Sequence, residues 1–268
     1  MEIEGKRILV SGATGGLGAA IARLLAAEGA SLVLSARDSG SLRDLASTLE
    51  GGTARHEVVE SDLTEPDAPE KLIAQSGDLD GLVANAGLPG TGKLESFSDD
   101  ELRRVVRVNF ETPLVMAREL APGLAAKGEG HIVFVASLAG KVASPRGSLY
   151  SATKFGLRGL AFGLREDLRP EGIGVSVVSP GFVRDAGMFH DTGSTAPAVL
   201  GTTTPEKVAK AVAKAIRRDR SEVTVAPLRQ RIAAEIGYRH PEWAARVQRA
   251  GGAEGIVGEL EHRQMEKR

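Results

Sequence analysis

Cysteine is absent from the 268-residue chain, which excludes disulfides, thiol catalysis and thiolate metal ligands. The histidines (His56, His131, His190, His240 and His262) stand apart without ligand spacing, so no metal site is expected. An excess of either charge is missing too: 34 basic residues face 35 acidic ones, for a net charge of −1. That balance supplies no field to attract nucleic acid or an anionic membrane. No apolar run is long enough to span a bilayer, and the opening "MEIEGKRILV" has no signal-peptide core. A soluble cytoplasmic protein is the expectation. Aromatic residues make up only 4% of the chain, with two tyrosines, Tyr150 and Tyr238.

Apolar residues are plentiful at 42%, enough for a large buried core, and α/β chains of this length often form one domain. Short β-branched runs ("RILVS", "SLVLSA", "HEVVES", "DGLVAN", "HIVFVAS", "VSVVS" and "EVTVA") alternate with stretches of helical period such as Leu17 to Glu28 and Asp99 to Lys127. The alternation predicts repeated βαβ units. Because the runs are apolar throughout, not at every second position, they suit a parallel sheet covered by helices on both faces. The expected architecture is a doubly wound parallel sheet of about seven strands over residues 1–226, with a helical extension over 227–268 packing on the domain or a partner. Phe182 to Thr204 interrupts the alternation, is rich in Gly, Thr and Pro, and is long enough to be a candidate lid.

The strand "KRILV" runs directly into "SGATGGLG" and then into a helix, which puts Gly12, Gly16 and Gly18 at a strand-to-helix turn. There a dinucleotide pyrophosphate can approach bare backbone and rest on unpaired N–H groups at the positive helix end. The spacing is G-x-x-x-G-x-G, and the chain's 33 glycines would cluster somewhere in any case; the position after the first strand is what gives this cluster a mechanism. This is the phosphate turn of a Rossmann-like fold. At the end of the second strand, "LVLSARD", Ala36 fills the place of an acidic ribose ligand and Arg37 follows it. A guanidinium fork suits a 2′-phosphate, so NADP(H) is the preferred cofactor, with NAD(H) the alternative if Asp38 takes the acidic role.

In "SLYSATKFGL", Tyr150 and Lys154 lie four residues apart in a segment of helical period, Ser148 to Asp167, and so share one helix face. A phenol titrates near ~10, and an ammonium at ~4 Å in an effective dielectric of ~20 favours its phenolate by about 4 kcal/mol, on the order of three pKa units. Charge alone therefore brings the tyrosine towards neutral pH, with burial acting in opposition. Ser137 ends the strand "HIVFVAS", at the carboxyl edge where open parallel sheets bind ligands. Taken one at a time, these residues also read as a strand cap, a core aromatic and a solvated lysine.

With "SGATGGLG", "NAG", Ser137 and "YSATK" in this order, the chain resembles the single-domain branch of the short-chain dehydrogenase/reductase family from about Lys6 to Ala226. The resemblance implies hydride transfer between NAD(P)(H) and a carbonyl or secondary alcohol, with Ser137, Tyr150 and Lys154 catalytic and Asn109 supporting the lysine through water. It further implies cofactor contacts from Gly12, Thr14, Gly16, Leu17, Gly18, Arg37, Asp62, Leu63, Asn85, Ala86, Gly87, Tyr150, Lys154, Pro180, Gly181 and Val183. Within that set, Asp62, Asn85, Ala86 and Gly87 surround the adenosine, and Val183 in "SPGFV" lies near the carboxamide. Two residues after Val183, where the family frequently has a threonine, this chain has Asp185. The likeness also implies homodimers or homotetramers built on the long helices.

A non-catalytic dinucleotide-binding regulator or scaffold is the alternative function; an incomplete catalytic set would favour it, and the set is complete. Met188 and Phe189 point to an apolar substrate pocket, or else simply anchor the lid. The tail "RQRIAAEIGYRHPEWAARVQRAGG" places Ile232 and Ile236, then Trp243 and Val247, at helical spacing on either side of Pro241. Two short amphipathic helices are expected. Their apolar faces pack on the parent domain, cover the substrate mouth, meet another subunit or rest on a lipid surface.

Overall fold

Residues 1–186 and 201–250 are described by a computed structural model of the chain. Elements follow in the order β1 (Arg7–Ser11), α1 (Gly16–Ala27), β2 (Ser31–Ala36), α2 (Ser39–Thr48), α3 (Gly52–Arg55), β3 (Glu57–Glu60), α4 (Ala68–Gln75), β4 (Gly81–Ala84), α5 (Asp99–Val106) and α6 (Thr112–Lys127). They continue with β5 (Gly130–Val135), α7 (Ser148–Leu168), β6 (Ile173–Pro180), α8 (Pro205–Arg218), β7 (Glu222–Val225), α9 (Leu228–Arg239) and α10 (Pro241–Ala250). All strand pairs are parallel, in the order β3-β2-β1-β4-β5-β6-β7. The winding reverses between β1 and β4, so the connections leaving their carboxyl ends run to opposite faces and open a crevice at the sheet edge.

Both faces of the sheet are dry, which explains the unbroken apolar runs. Ile8 and Val10 of β1 face one side, with Leu32, Leu34, Val133 and Val178, under α1 and α8. Leu9 faces the other, with Val33, Leu82, Phe134 and Val177, under α4, α6 and α7. Each such side chain contributes about 1.5–3 kcal/mol on burial, so the sheet's central strands carry much of the core's stabilisation. The one polar interruption within β5, His131, is buried and hydrogen-bonded at 2.8 Å to Ser176 on β6; burial lowers its pKa to about 4, keeping it neutral.

Two features depart from the sequence pattern. The helix expected over Asp99 to Lys127 starts as foreseen, with a capping box between Ser98 and Glu101, but contains a π turn at Arg107–Glu111. Such wide turns concentrate at functional sites, and this one carries Asn109. In the tail, the break at Pro241 is present, yet α9 buries Gln230, Ala234 and Gly237 while Ile232 stays 49% exposed and Trp243 52% exposed. Small residues win that face because the helix lies very close to its support: a Cβ on Gly237 would sit 2.7 Å from Val142 Cγ2. Met188, Phe189 and the side chain of Val247 lie outside the described residues.

Candidate active site

The glycine turn is built by close approach. Gly12 has φ +64°, and a Cβ there would lie 2.9 Å from the Ala86 Cα. A Cβ on Gly18 would collide with the Gly12 carbonyl oxygen. Glycine is thus required by the backbone itself at both places. The end of β4 is stitched to this turn: Asn85 Nδ2 donates to the carbonyls of Ser11 and Gly12 at 3.2 Å each, and Ser11 Oγ accepts from the backbone N–H of Asn85 and of Ala86. Thr14 and Gly16 are exposed, and Leu17 and Gly87 are half-buried. Helix α1 has no side-chain cap and no acidic residue in its first turn. Its amino-terminal N–H groups and positive dipole end therefore face the crevice unopposed, which fits a pyrophosphate.

Beyond β2, Arg37 is exposed, and its charge contributes to lowering the Asp62 pKa. For Asp62 the upward push of burial is outweighed by hydrogen bonds from the Thr64 backbone and hydroxyl, with Arg37 and Arg104 adding to the net lowering. Asp38 is the amino-terminal cap of α2, accepting from Ser41 N at 2.7 Å. Leu63 is buried, and its carbonyl accepts from Thr112 Oγ1 at 3.4 Å.

At the carboxyl end of β5 the chain passes through Ser137 into a short 3-10 turn, Leu138–Gly140, and Ser137 Oγ accepts from Ala139 N at 3.1 Å. The Ser137 hydroxyl stands near enough to that of Tyr150 on α7 to oppose part of the rise in the tyrosine's pKa. Lys154, one turn further along α7, is 3% exposed; its Nζ lies 5.6 Å from the Tyr150 ring centroid and donates to the Val135 carbonyl at 3.1 Å. Serine, tyrosine and lysine thus converge at the sheet edge. Asn109, buried in the π turn, accepts from Leu88 N at 2.7 Å and donates to Leu88 O at 2.9 Å. Its side chain braces the strand-end loop that runs from Asn85 past Gly87.

Charge alone does not set the acidity of the tyrosine. Burial pushes Tyr150 up to about 12, a hydrogen bond from Ser137 opposing it, and pushes Lys154 down to about 8. Although the Tyr150 side chain keeps part of its surface open, surrounding protein replaces enough water that desolvation is the leading effect.

At the end of β6, Pro180 is followed by Gly181, Phe182 and the buried Val183, which bridges to Thr203 in parallel. Asp185 adopts the left-handed conformation at φ 68° and pairs with the adjacent Arg184 at 3.1 Å. Its charge therefore has a local partner. Sequence reasoning missed Gln230: buried on α9, it donates through Nε2 to the Gly201 carbonyl at 2.6 Å and accepts through Oε1 from Phe182 N at 3.3 Å. A glutamine among arginines in an amphipathic tail carries no local signal of such a role.

A doubly wound sheet with a phosphate-fitting glycine turn at its switch point defines a nicotinamide-dinucleotide oxidoreductase of the CH–OH/C=O class. The sequence profile described as "short chain dehydrogenase" matches residues 6–197, and the chain belongs to that family. It is 35% identical over 227 residues to the ketoacyl reductase HetN of Nostoc sp., covering 83% of this chain and 79% of that protein. Among solved structures, a short-chain dehydrogenase from Burkholderia cenocepacia in complex with NADP superposes with a TM-score of 0.77 at 28% identity, covering 92% of this chain and 98% of that one. A metagenomic short-chain oxidoreductase in complex with NADP gives 0.70 at 34% identity, over 85% and 99% respectively.

Proposed function

We propose that the protein is an NADP(H)-dependent oxidoreductase that interconverts an apolar ketone or aldehyde with its alcohol. The observation that carries this reading is the buried Lys154 Nζ, 5.6 Å from the Tyr150 ring centroid and bonded to the Val135 carbonyl at the strand end where Ser137 turns the chain. Held in the crevice, such a cofactor would supply hydride chemistry to the carbonyl carbon. Ser137 holds the substrate oxygen by donating a hydrogen bond, and Tyr150 OH delivers a proton to that oxygen as negative charge develops on it. A phenol at about 12 is a poor acid, so Lys154 favours the phenolate left behind, its neighbouring charge counting for more once water is excluded from the cleft. Both polar atoms of the Asn109 side chain are engaged by Leu88, so its support of Lys154 through water would run by way of the backbone of the π turn.

Preference for the 2′-phosphorylated cofactor rests on Arg37, exposed past β2, and on Asp38, whose carboxylate is already engaged as the α2 cap. Solved relatives in complex with NADP agree with that preference. Gly12, Thr14, Gly16, Leu17 and Gly18 would cradle the phosphates, Asp62, Leu63, Asn85, Ala86 and Gly87 the adenosine, and Pro180, Gly181 and Val183 the nicotinamide, with Tyr150 and Lys154 on its ribose. Residues 1–226 act as the catalytic domain and the extension from 227 as one wall of its cleft, in a cytoplasmic homodimer or homotetramer. Among the described residues no helix is long and apolar enough to cross a membrane.

Calorimetric titration with NADPH and NADH, followed by turnover of a panel of apolar ketones and aldehydes, tests the proposal. Tight NADPH binding with carbonyl-dependent oxidation supports it. Preference for NADH would overturn the cofactor assignment, and NADPH binding without turnover across the panel would favour a non-catalytic scaffold.

A further inference from the structure

We infer that Gln230 is a positioning residue for the nicotinamide end of the cofactor, acting from the carboxyl-terminal helix α9 through the backbone that follows β6. The inference rests on the dinucleotide reading above and adds a residue beyond the 6–197 span that carries the family likeness.

Past Pro180 the chain leaves the sheet, and among the described residues Gly181 N donates to Val225 O, Arg184 N to Thr203 O, and Thr203 N to Phe182 O. Gln230 joins this set from a distance of 48 residues in sequence to Phe182 and 29 to Gly201. It is only 4% exposed, and its amide is used at both ends, accepting from Phe182 N and donating to Gly201 O. One side chain thus ties the segment leaving β6 to the segment that returns towards α8.

The fit is close enough to dictate a neighbour. A Cβ on Gly181 would collide with Gln230 Oε1, and it would also lie 2.9 Å from the Ala226 Cβ. Gly181 has no need of glycine for its backbone angles, since its φ lies outside the left-handed region. The space that its missing side chain leaves is occupied by the glutamine amide. A buried amide in such a place is worth retaining only if both its polar ends are satisfied, because an unpartnered end costs about 1–3 kcal/mol. The same helix pair also touches the other wall of the cleft, through Gly237 against Val142 and Gln248 Nε2 donating to Ala143 O at 3.1 Å.

Removal of the amide should therefore shift Gly181 to Val183 and loosen the cofactor without altering proton transfer by Tyr150. Gln230→Leu is expected to raise the NADPH dissociation constant and KM at least about fivefold, with kcat at saturating cofactor within about twofold of wild type. Gln230→Glu keeps the acceptor for Phe182 N but sets a second oxygen against the Gly201 carbonyl, unless that carboxyl is protonated. Its NADPH affinity should recover towards wild type as pH falls from roughly 8 to roughly 6, a recovery that wild type does not show. Arg239→Ala, which removes an exposed ion pair on the same helix with Glu235, serves as the control for tail stability.

Wild-type NADPH affinity in Gln230→Leu would overturn the inference. So would weakened affinity accompanied by an equal fall in kcat, or matched by Arg239→Ala, since either is what a purely structural role gives. Should Gln230→Leu fail to fold, the Gln230→Glu pH profile decides alone, and a flat difference from wild type counts against the inference. If wild type itself binds neither NADPH nor NADH, the dinucleotide reading fails first, which is a distinct result.

Discussion

Gly140 and Lys154 meet backbone to backbone: a Cβ on Gly140 would lie 2.6 Å from the Lys154 carbonyl oxygen. The turn that begins at Ser137 therefore rests directly on α7, the helix that carries Tyr150 and Lys154. Gly140→Ala should lift the turn from the helix, reducing kcat/KM at least about tenfold and stability by about 1–3 kcal/mol while NADPH affinity changes little. Steady-state kinetics beside a binding titration checks this; an unchanged kcat/KM would contradict it.

Arg37→Ala should raise the KM for NADPH by about ten- to a hundredfold and change that for NADH less than about twofold, because only the 2′-phosphate meets the guanidinium. A parallel loss with both cofactors would mean that Arg37 supports the fold of the crevice and reads no phosphate.

Lys154 gives a pH test. Its native pKa, about 8, lies below the ordinary 10.5 because of burial. Below about pH 8 the lysine is charged in both native and unfolded chains, and the buried charge opposes folding. Between about 8 and 10.5 the unfolded chain holds more protons, so stability rises with pH, by up to about 3 kcal/mol. Lys154→Met has no such dependence, although it leaves the Val135 carbonyl without its donor at every pH. Denaturant melts near pH 7 and near pH 10 should show wild type gaining on the variant as pH rises. Tyr150 is present in both proteins, so its ionisation largely cancels from the difference. A pH-independent difference would contradict the assigned burial.

The strands were legible because each depends on a local pattern, and the parallel, doubly wound sheet followed from their fully buried character. Ser137, Tyr150 and Lys154 were legible for a related reason: a spacing of four fixes two of them on one helix face, and a strand end fixes the third at the sheet edge. Other features depend on contacts distant in sequence. The π turn around Asn109 has the same apolar period as the α-helices on either side, so the pattern does not separate them. The direction of the Tyr150 shift is set by how much protein surrounds the phenol, which spacing does not contain. Gln230 and Gly181 are complementary in shape although far apart in sequence, and Ile232 yields the buried face of α9 to Ala234 and Gly237, the latter packed against Val142.

The most direct test of the account follows the hydride and the proton together. Wild type and Tyr150→Phe would each be incubated with NADPH deuterated at the transferring position and with a panel of apolar ketones, and the alcohols weighed by mass spectrometry. The account expects deuterium on the carbinol carbon with wild type, and a rate about a hundredfold to ten-thousandfold lower with Tyr150→Phe despite equal NADPH binding. Equal rates of labelled product from the two proteins would contradict the assignment of Tyr150 as the proton donor.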